Sequence, residues 1–108
     1  MKLYFWFLER PWDEGPYIRF EECEVIEKPK IFKPVDKFPN GFFGAYVFKN
    51  ELKCVIHDGG IYISDSPNHI EAKEKLRLYW TKLINKMEMM INKFKMNIDA
   101  IERFNRDE

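Results

Sequence analysis

Residues 2–8, KLYFWFL, are apolar on both parities of a strand. Both faces of this first segment are therefore expected to be covered, with the strand running through the sheet interior. In the next segment, YIRFEECEVIEK, Ile18 and Phe20 share one parity and Cys23 and Val25 the other, and the change falls at Glu21 and Glu22. A one-residue slip transfers side chains to the opposite face, so this pattern predicts a bulge at the acidic pair. Over residues 29–41, three prolines and four lysines, counting Lys28, predict an edge or extended loop closed by Pro39, Asn40 and Gly41. Three short strands follow at 43–48, 52–57 and 61–64, with tight turns at Asn50 and at Asp58, Gly59 and Gly60.

The period then changes. Asp65 or Ser66 is the expected helix N-cap, with Pro67 as first helical residue and Glu71 in the first turn. Leu76, Trp80, Leu83, Met87, Met90 and Phe94 recur at alternating spacings of four and three, Ile98 and Ile101 continue the stripe, and Ile84, Ile91 and Ile98 flank it at intervals of seven. The fold expected is α+β: an antiparallel meander of about five strands over residues 1–64, then one long C-terminal helix over 66–104, in a single domain spanning 1–108.

Length decides what the stripe must do. About 38 residues at 1.5 Å each make roughly 57 Å of helix, whereas five strands about 4.8 Å apart make a sheet little more than 20 Å across. The sheet covers about half of the helix. A partner helix is the simplest cover for the rest, so a homo-oligomer is expected, with Trp80, Leu83, Ile84, Met87, Met90, Ile91 and Phe94 at its interface. A fold-back into two helices near residues 92–97 would need a turn that the sequence does not spell.

Composition adds less. The 108 residues are 17% aromatic, which lets a small core bury large areas, and the net charge of zero argues against a bulk polyanion binder. Charge is nevertheless segregated: residues 9–27 hold seven acids against Arg10 and Arg19, and residues 73–95 hold seven bases against Glu74 and Glu88. Compensation within the fold or between subunits is the expectation. The apolar run at the N-terminus is too short for a membrane span and has no small-residue cleavage site, and two cysteines make no disulfide framework, so a cytoplasmic protein is expected. The abundance of Lys, Ile, Asn, Phe and Tyr is the bias of AT-rich genes.

No catalytic or metal motif emerges, and neither enzyme activity nor a cofactor is expected. Cys54 and His57 lie three apart on a strand and point to opposite faces. A Cys23 and His57 pairing across strands would lack an orienting third group. Binding chemistry has more support. Arg10, Trp12 and Arg19 border the loop ERPWDEGPY, offering a stacking ring and two guanidinium forks for an anionic ligand, and Lys28, Lys30, Lys33 and Lys37, with Phe32 and Phe38 interleaved, offer the same chemistry in the next connection. The alternative for Trp12 is a hydrophobic plug at the sheet end, and for the lysines protection of a sheet edge.

The stretch GGIYISD, followed by EAKEKLRLYWTKLINKMEMMINKF, resembles small proteins of Gram-positive bacteria and their phages, over residues 58–95. That class includes antagonists of bacterial immunity. The resemblance implies a phage or mobile-element protein that blocks a host defence protein by direct binding in the bacterial cytoplasm. A sponge holding a cyclic or dinucleotide between subunits, and nucleic-acid binding by the basic helix face, are the alternatives.

Overall fold

The first strand, β1 (Lys2–Glu9), pairs on one side with β2 (Tyr17–Glu27) and is flanked on the other by the last strand of the sheet. The computed structural model describes residues 1–104. The remaining strands are β3 (Ile31–Pro34), β4 (Val47–Phe48), β5 (Val55–Ile56) and β6 (Ile61–Ser64), and helix α1 spans His69–Arg103. The antiparallel sheet has six strands in the order β4-β3-β2-β1-β6-β5. The expected α+β architecture is present. The meander is interrupted once, where the chain leaves β4 at one edge and enters β5 at the other.

That crossing forces the sheet to curl. Laid flat, six strands would separate their outer members by about 24 Å. Residues 49–54 join those members and include a 3₁₀ turn at Lys49–Glu51. With the rest of the link extended, it reaches only about 20 Å. Curling brings the edges together and creates an inner face. Leu3, Phe5 and Phe7 of β1 line it with Cys23, Val25, Phe32, Val47, Ile61 and Ile63, and Phe38 and Phe42 close it from the 35–46 loop. The outer face carries Tyr4, Trp6, Phe20 and Tyr62, beneath Ala72 and Leu76 of α1. The doubly apolar pattern of β1 is thus satisfied on both faces.

The expected bulge at Glu21 and Glu22 is absent, because β1 and β2 pair without interruption from Lys2 opposite Glu24 to Glu9 opposite Tyr17. The parity change has another cause. Phe20, opposite Trp6, meets the helix on the outer face, while Cys23, opposite Leu3, meets the interior of the curl. One regular strand serves two covers.

The lysine- and proline-rich segment is also corrected. Rather than an edge or loop, residues 31–34 form an interior strand between β2 and β4. Val35 N–H donates towards β2 at Glu24 and Lys30 C=O accepts from Lys49 on the β4 side. By alternation, the missing N–H of Pro34 points to the β4 side, beyond the two residues where β4 pairs. The next two strands are shorter than expected, at two residues each. The β5–β6 turn is as expected: Asp58 and Gly59 both have positive φ, 55° and 87°, and Gly60 N–H donates to His57 C=O at 3.1 Å.

Helix α1 begins later than expected. The N-cap is Asn68, whose Oδ1 accepts the Glu71 N–H at 3.1 Å, so Pro67 precedes the cap instead of opening the helix. The helix runs unbroken to Arg103 with no fold-back. Its 35 residues span about 52 Å, which accounts for the elongated envelope of 74 × 36 × 24 Å. Residues 105–108 of the expected domain lie outside the described residues.

Candidate binding surfaces

Helix α1 rests on β5 and β6 only through its first three turns. Ala72 and Leu76 are its buried residues, and Trp80 makes the last polar contact, donating its indole N–H to Gly59 C=O at 3.2 Å. Gly59 has to be a glycine for two reasons. Its φ is positive, and a Cβ there would stand 2.5 Å from the Tyr79 ring and 2.7 Å from Trp80.

Beyond that anchor the helix leaves the sheet. Ile84, Met87, Met90, Ile91, Phe94, Ile98 and Ile101 are 42–71% exposed. The expected interface set therefore divides. Trp80 is held within the chain, with the Arg10 guanidinium 4.9 Å above its ring. Leu83 is half-buried, and Ile84, Met87, Met90, Ile91 and Phe94 form one open apolar stripe. A shallow recess of about 260 Å³, lined by Tyr79, Lys82, Leu83 and Lys86, marks where the stripe begins.

The expected ligand residues Arg10, Trp12, Arg19 and Lys33 do not converge. Arg19 faces the inner side of the curl, 4.2 Å over the Phe7 ring, and bonds Glu9 at 2.7 Å, Glu21 at 3.1 Å and the Asn40 carbonyl at 2.5 Å. It clamps the 39–41 turn to β2, and each of its three nitrogens already donates to a partner within the chain. Arg10 sits on the other face, on Trp80. Trp12 is 105% exposed, so it plugs nothing. Lys33 is exposed on β3, but the rings expected beside the lysines, Phe32 and Phe38, are buried in the core.

Sequence reasoning missed a second surface, the trough between α1 and the loop end of β1 and β2. It holds about 420 Å³, with Leu8, Ile18, Ile70, Leu76 and Trp80 as apolar walls and Lys73, Glu74 and Arg77 at the rim. It exists because α1 runs over β5 and β6, leaving Leu8 and Ile18 partly uncovered. The pairing of these two apolar residues on the outer parity was the available signal.

His69, in the first turn of α1, is tied to the sheet: its Nδ1 accepts the Trp6 indole N–H at 3.0 Å and its ring stands edge-on to Phe20 at 4.7 Å. This bond requires the lone pair on Nδ1. Tyr62, fully buried, donates to Glu71 at 3.4 Å, and burial first, with Glu71 adding to it, pushes its hydroxyl up to about 12. Cys23 is buried, and that burial raises its thiol, the opposite of what a nucleophile needs. His57 packs edge-on against Phe42, and the Cys23 thiol donates to the Glu24 and Lys37 carbonyls. Among the described residues no group of three His, Cys, Asp or Glu is placed to hold a metal ion, no helix is long and apolar enough to cross a membrane, and no ion pair joins the acidic β2 to the basic helix.

No protein-family model, curated protein or solved structure matches the chain.

Proposed function

We propose that the chain is a non-enzymatic binding protein that works by protein–protein contact, with the projecting half of α1 as the contact element and the curled sheet as its rigid base. The observation that carries this reading is the apolar stripe that leaves the sheet at Trp80 and continues, 42–71% exposed from Ile84 onward, to Ile101. Fully burying each such side chain contributes about 1.5–3 kcal/mol. Covering the exposed half of seven of them rivals the whole stability of a small domain, about 5–15 kcal/mol. An exposed contiguous patch of this kind marks an interaction site. The role that goes with it, taken from the resemblance, is a phage or mobile-element antagonist that occludes a host defence protein.

A photo-cross-linking amino acid at Met87 or Ile91, in cells expressing the full chain, tests the reading. Protein adducts are expected at both positions and not at Lys30 on the sheet. Absence of any protein adduct at 87 and 91 would contradict it.

The trough supports a second reading, a small-ligand receptor. Its apolar walls and cationic rim suit an aromatic or aliphatic anion better than a dinucleotide, because the Arg19 fork is already filled by two carboxylates. A thermal-shift series of nucleotides against aromatic and aliphatic carboxylates separates the two. Stabilisation by nucleotides alone would contradict the apolar assignment.

A further inference from the structure

We infer that, in the protein free of any other partner, the projecting half of α1 pairs with the same half of a second copy, antiparallel, about a two-fold axis near residue 92. This rests on the protein-binding reading above and adds the occupant, the orientation and the register.

Orientation follows from the continuity of the stripe. At 100° per residue, Leu83, Met87, Met90, Phe94, Ile98 and Ile101 fall within an arc of about 80°, and Ala72 and Leu76 fall in the same arc. The latter two are covered by Trp6 and Tyr62 of the sheet. The sheet therefore stands on the same side of α1 as the open stripe. A parallel partner pairing face to face would place its own first turns in the volume that the sheet fills. An antiparallel partner meets no such obstacle, because its helix end approaches the sheet and its sheet lies at the far end.

Length fixes the register. The open stripe from 83 to 101 is about 27 Å long. With the axis near residue 92, Leu83 of one copy lies level with Ile101 of the other, Met87 close to Ile98, and Met90 with Phe94. Arg103, the last helical residue, then lies level with residue 81. The partner helix ends beside the shallow recess of Tyr79 and Leu83, just past the Trp80–Gly59 bond that marks the end of the sheet's contact. Sliding the register towards longer overlap drives helix ends into the sheets. Shorter overlap uncovers the stripe.

Charge favours a second copy on one flank of the stripe, while on the other Lys93 of each copy lies near its mate at the axis and opposes the pairing by a smaller, solvated like-charge contact. Glu88 and Lys95 lie on the same flank of the stripe, seven residues apart, and are symmetric about 91.5, within half a residue of the axis set by the apolar layers. In an antiparallel pair, like flanks meet. Glu88 of each copy therefore faces Lys95 of the other, twice, as an isologous contact requires.

The test uses the full chain with Cys54→Ser, which leaves only the buried Cys23. Oxidising a mixture of Leu83→Cys and Ile101→Cys is expected to join the two variants, while neither variant joins to itself. Self-joining of each variant alone would show parallel pairing and overturn the inference while leaving the protein-binding reading intact. No disulfide in any combination would also overturn it, and adducts from Met87 to another protein would then show that the stripe has a different occupant. Spin labels at Lys82, which leave the seam untouched, are expected about 30–35 Å apart in the antiparallel pair; a separation under about 20 Å would contradict it. Glu88→Lys or Lys95→Glu alone should weaken association about three- to tenfold. The double reversal should restore it, and failure to do so would overturn the register.

Discussion

Phe5 and Phe94 are the same residue type in the two halves of this chain, with opposite surroundings. Phe5 is fully buried, between Phe7, Phe38 and Phe42 with ring centroids 5.7–6.0 Å away. Phe94 stands 57% exposed on a helix that has left the sheet. The sheet half closes on itself because the link from β4 to β5 is too short to allow anything but a curl, and the curl has an inside. The helical half has no second layer of its own. Apolar patterning is equally strong in both, so patterning alone does not say whether a stripe is core or contact surface. Topology and length do.

The sharpest way to break this comparison is to truncate both rings. Phe5→Ala should destabilise the chain by about 3–5 kcal/mol, read from the urea midpoint. Phe94→Ala should change the unfolding free energy of the dilute chain by less than about 0.5 kcal/mol while weakening self-association. Similar losses from both would mean that Phe94 already packs within its own chain.

The next effect is alkaline. The Tyr62 hydroxyl is raised to about 12 from 10 in the folded chain by burial and Glu71, so the folded state holds this proton more tightly than the unfolded state. The stabilisation is complete below pH 10 and is lost as the pH rises towards 12, about 2–3 kcal/mol in all. Denaturant titrations across that window should show the fall, and Tyr62→Phe should flatten it. An unchanged slope in Tyr62→Phe would assign the loss to other groups.

Gly59→Ala probes the anchor between the halves. A Cβ there meets the Tyr79 and Trp80 rings and carries a positive φ, so a loss of about 1–3 kcal/mol is expected in thermal melts. A neutral outcome would mean that the helix base shifts freely over the β5–β6 turn. Trp12→Ala should do least. With its side chain wholly in solvent, stability should move by less than about 0.5 kcal/mol, and a larger loss would show that the ring packs in solution.

These contrasts also explain what was legible in the sequence. The central placement of β1 and the helix outrunning the sheet were readable from periodicity and rise per residue, and the Asp58-Gly59 turn from its chemistry. The supposed bulge was not, because a parity change looks the same whether a strand slips or its cover changes from the helix to the interior of the curl. The interior strand at 31–34 was hidden by Pro34, whose harmlessness depends on where β4 stops. Among candidate site residues, the exposure of Ile84 to Phe94 followed from length. The fate of Arg19 did not, since Glu9, Glu21 and Asn40 reach it only through the β1–β2 register and the 39–41 turn. The trough went unseen because it depends on which strands α1 lies across.

Sedimentation equilibrium on the unmodified chain, with far-ultraviolet circular dichroism on the same samples, tests the central claim most directly. A helix of some twenty solvated residues is marginal without tertiary support. The chain should have a mass of about 26 kDa, twice its 13.2 kDa, at tens of micromolar, and should lose helical signal as dilution takes it to monomer. A 13.2 kDa species at every concentration with its helicity undiminished would contradict the pairing of the stripe.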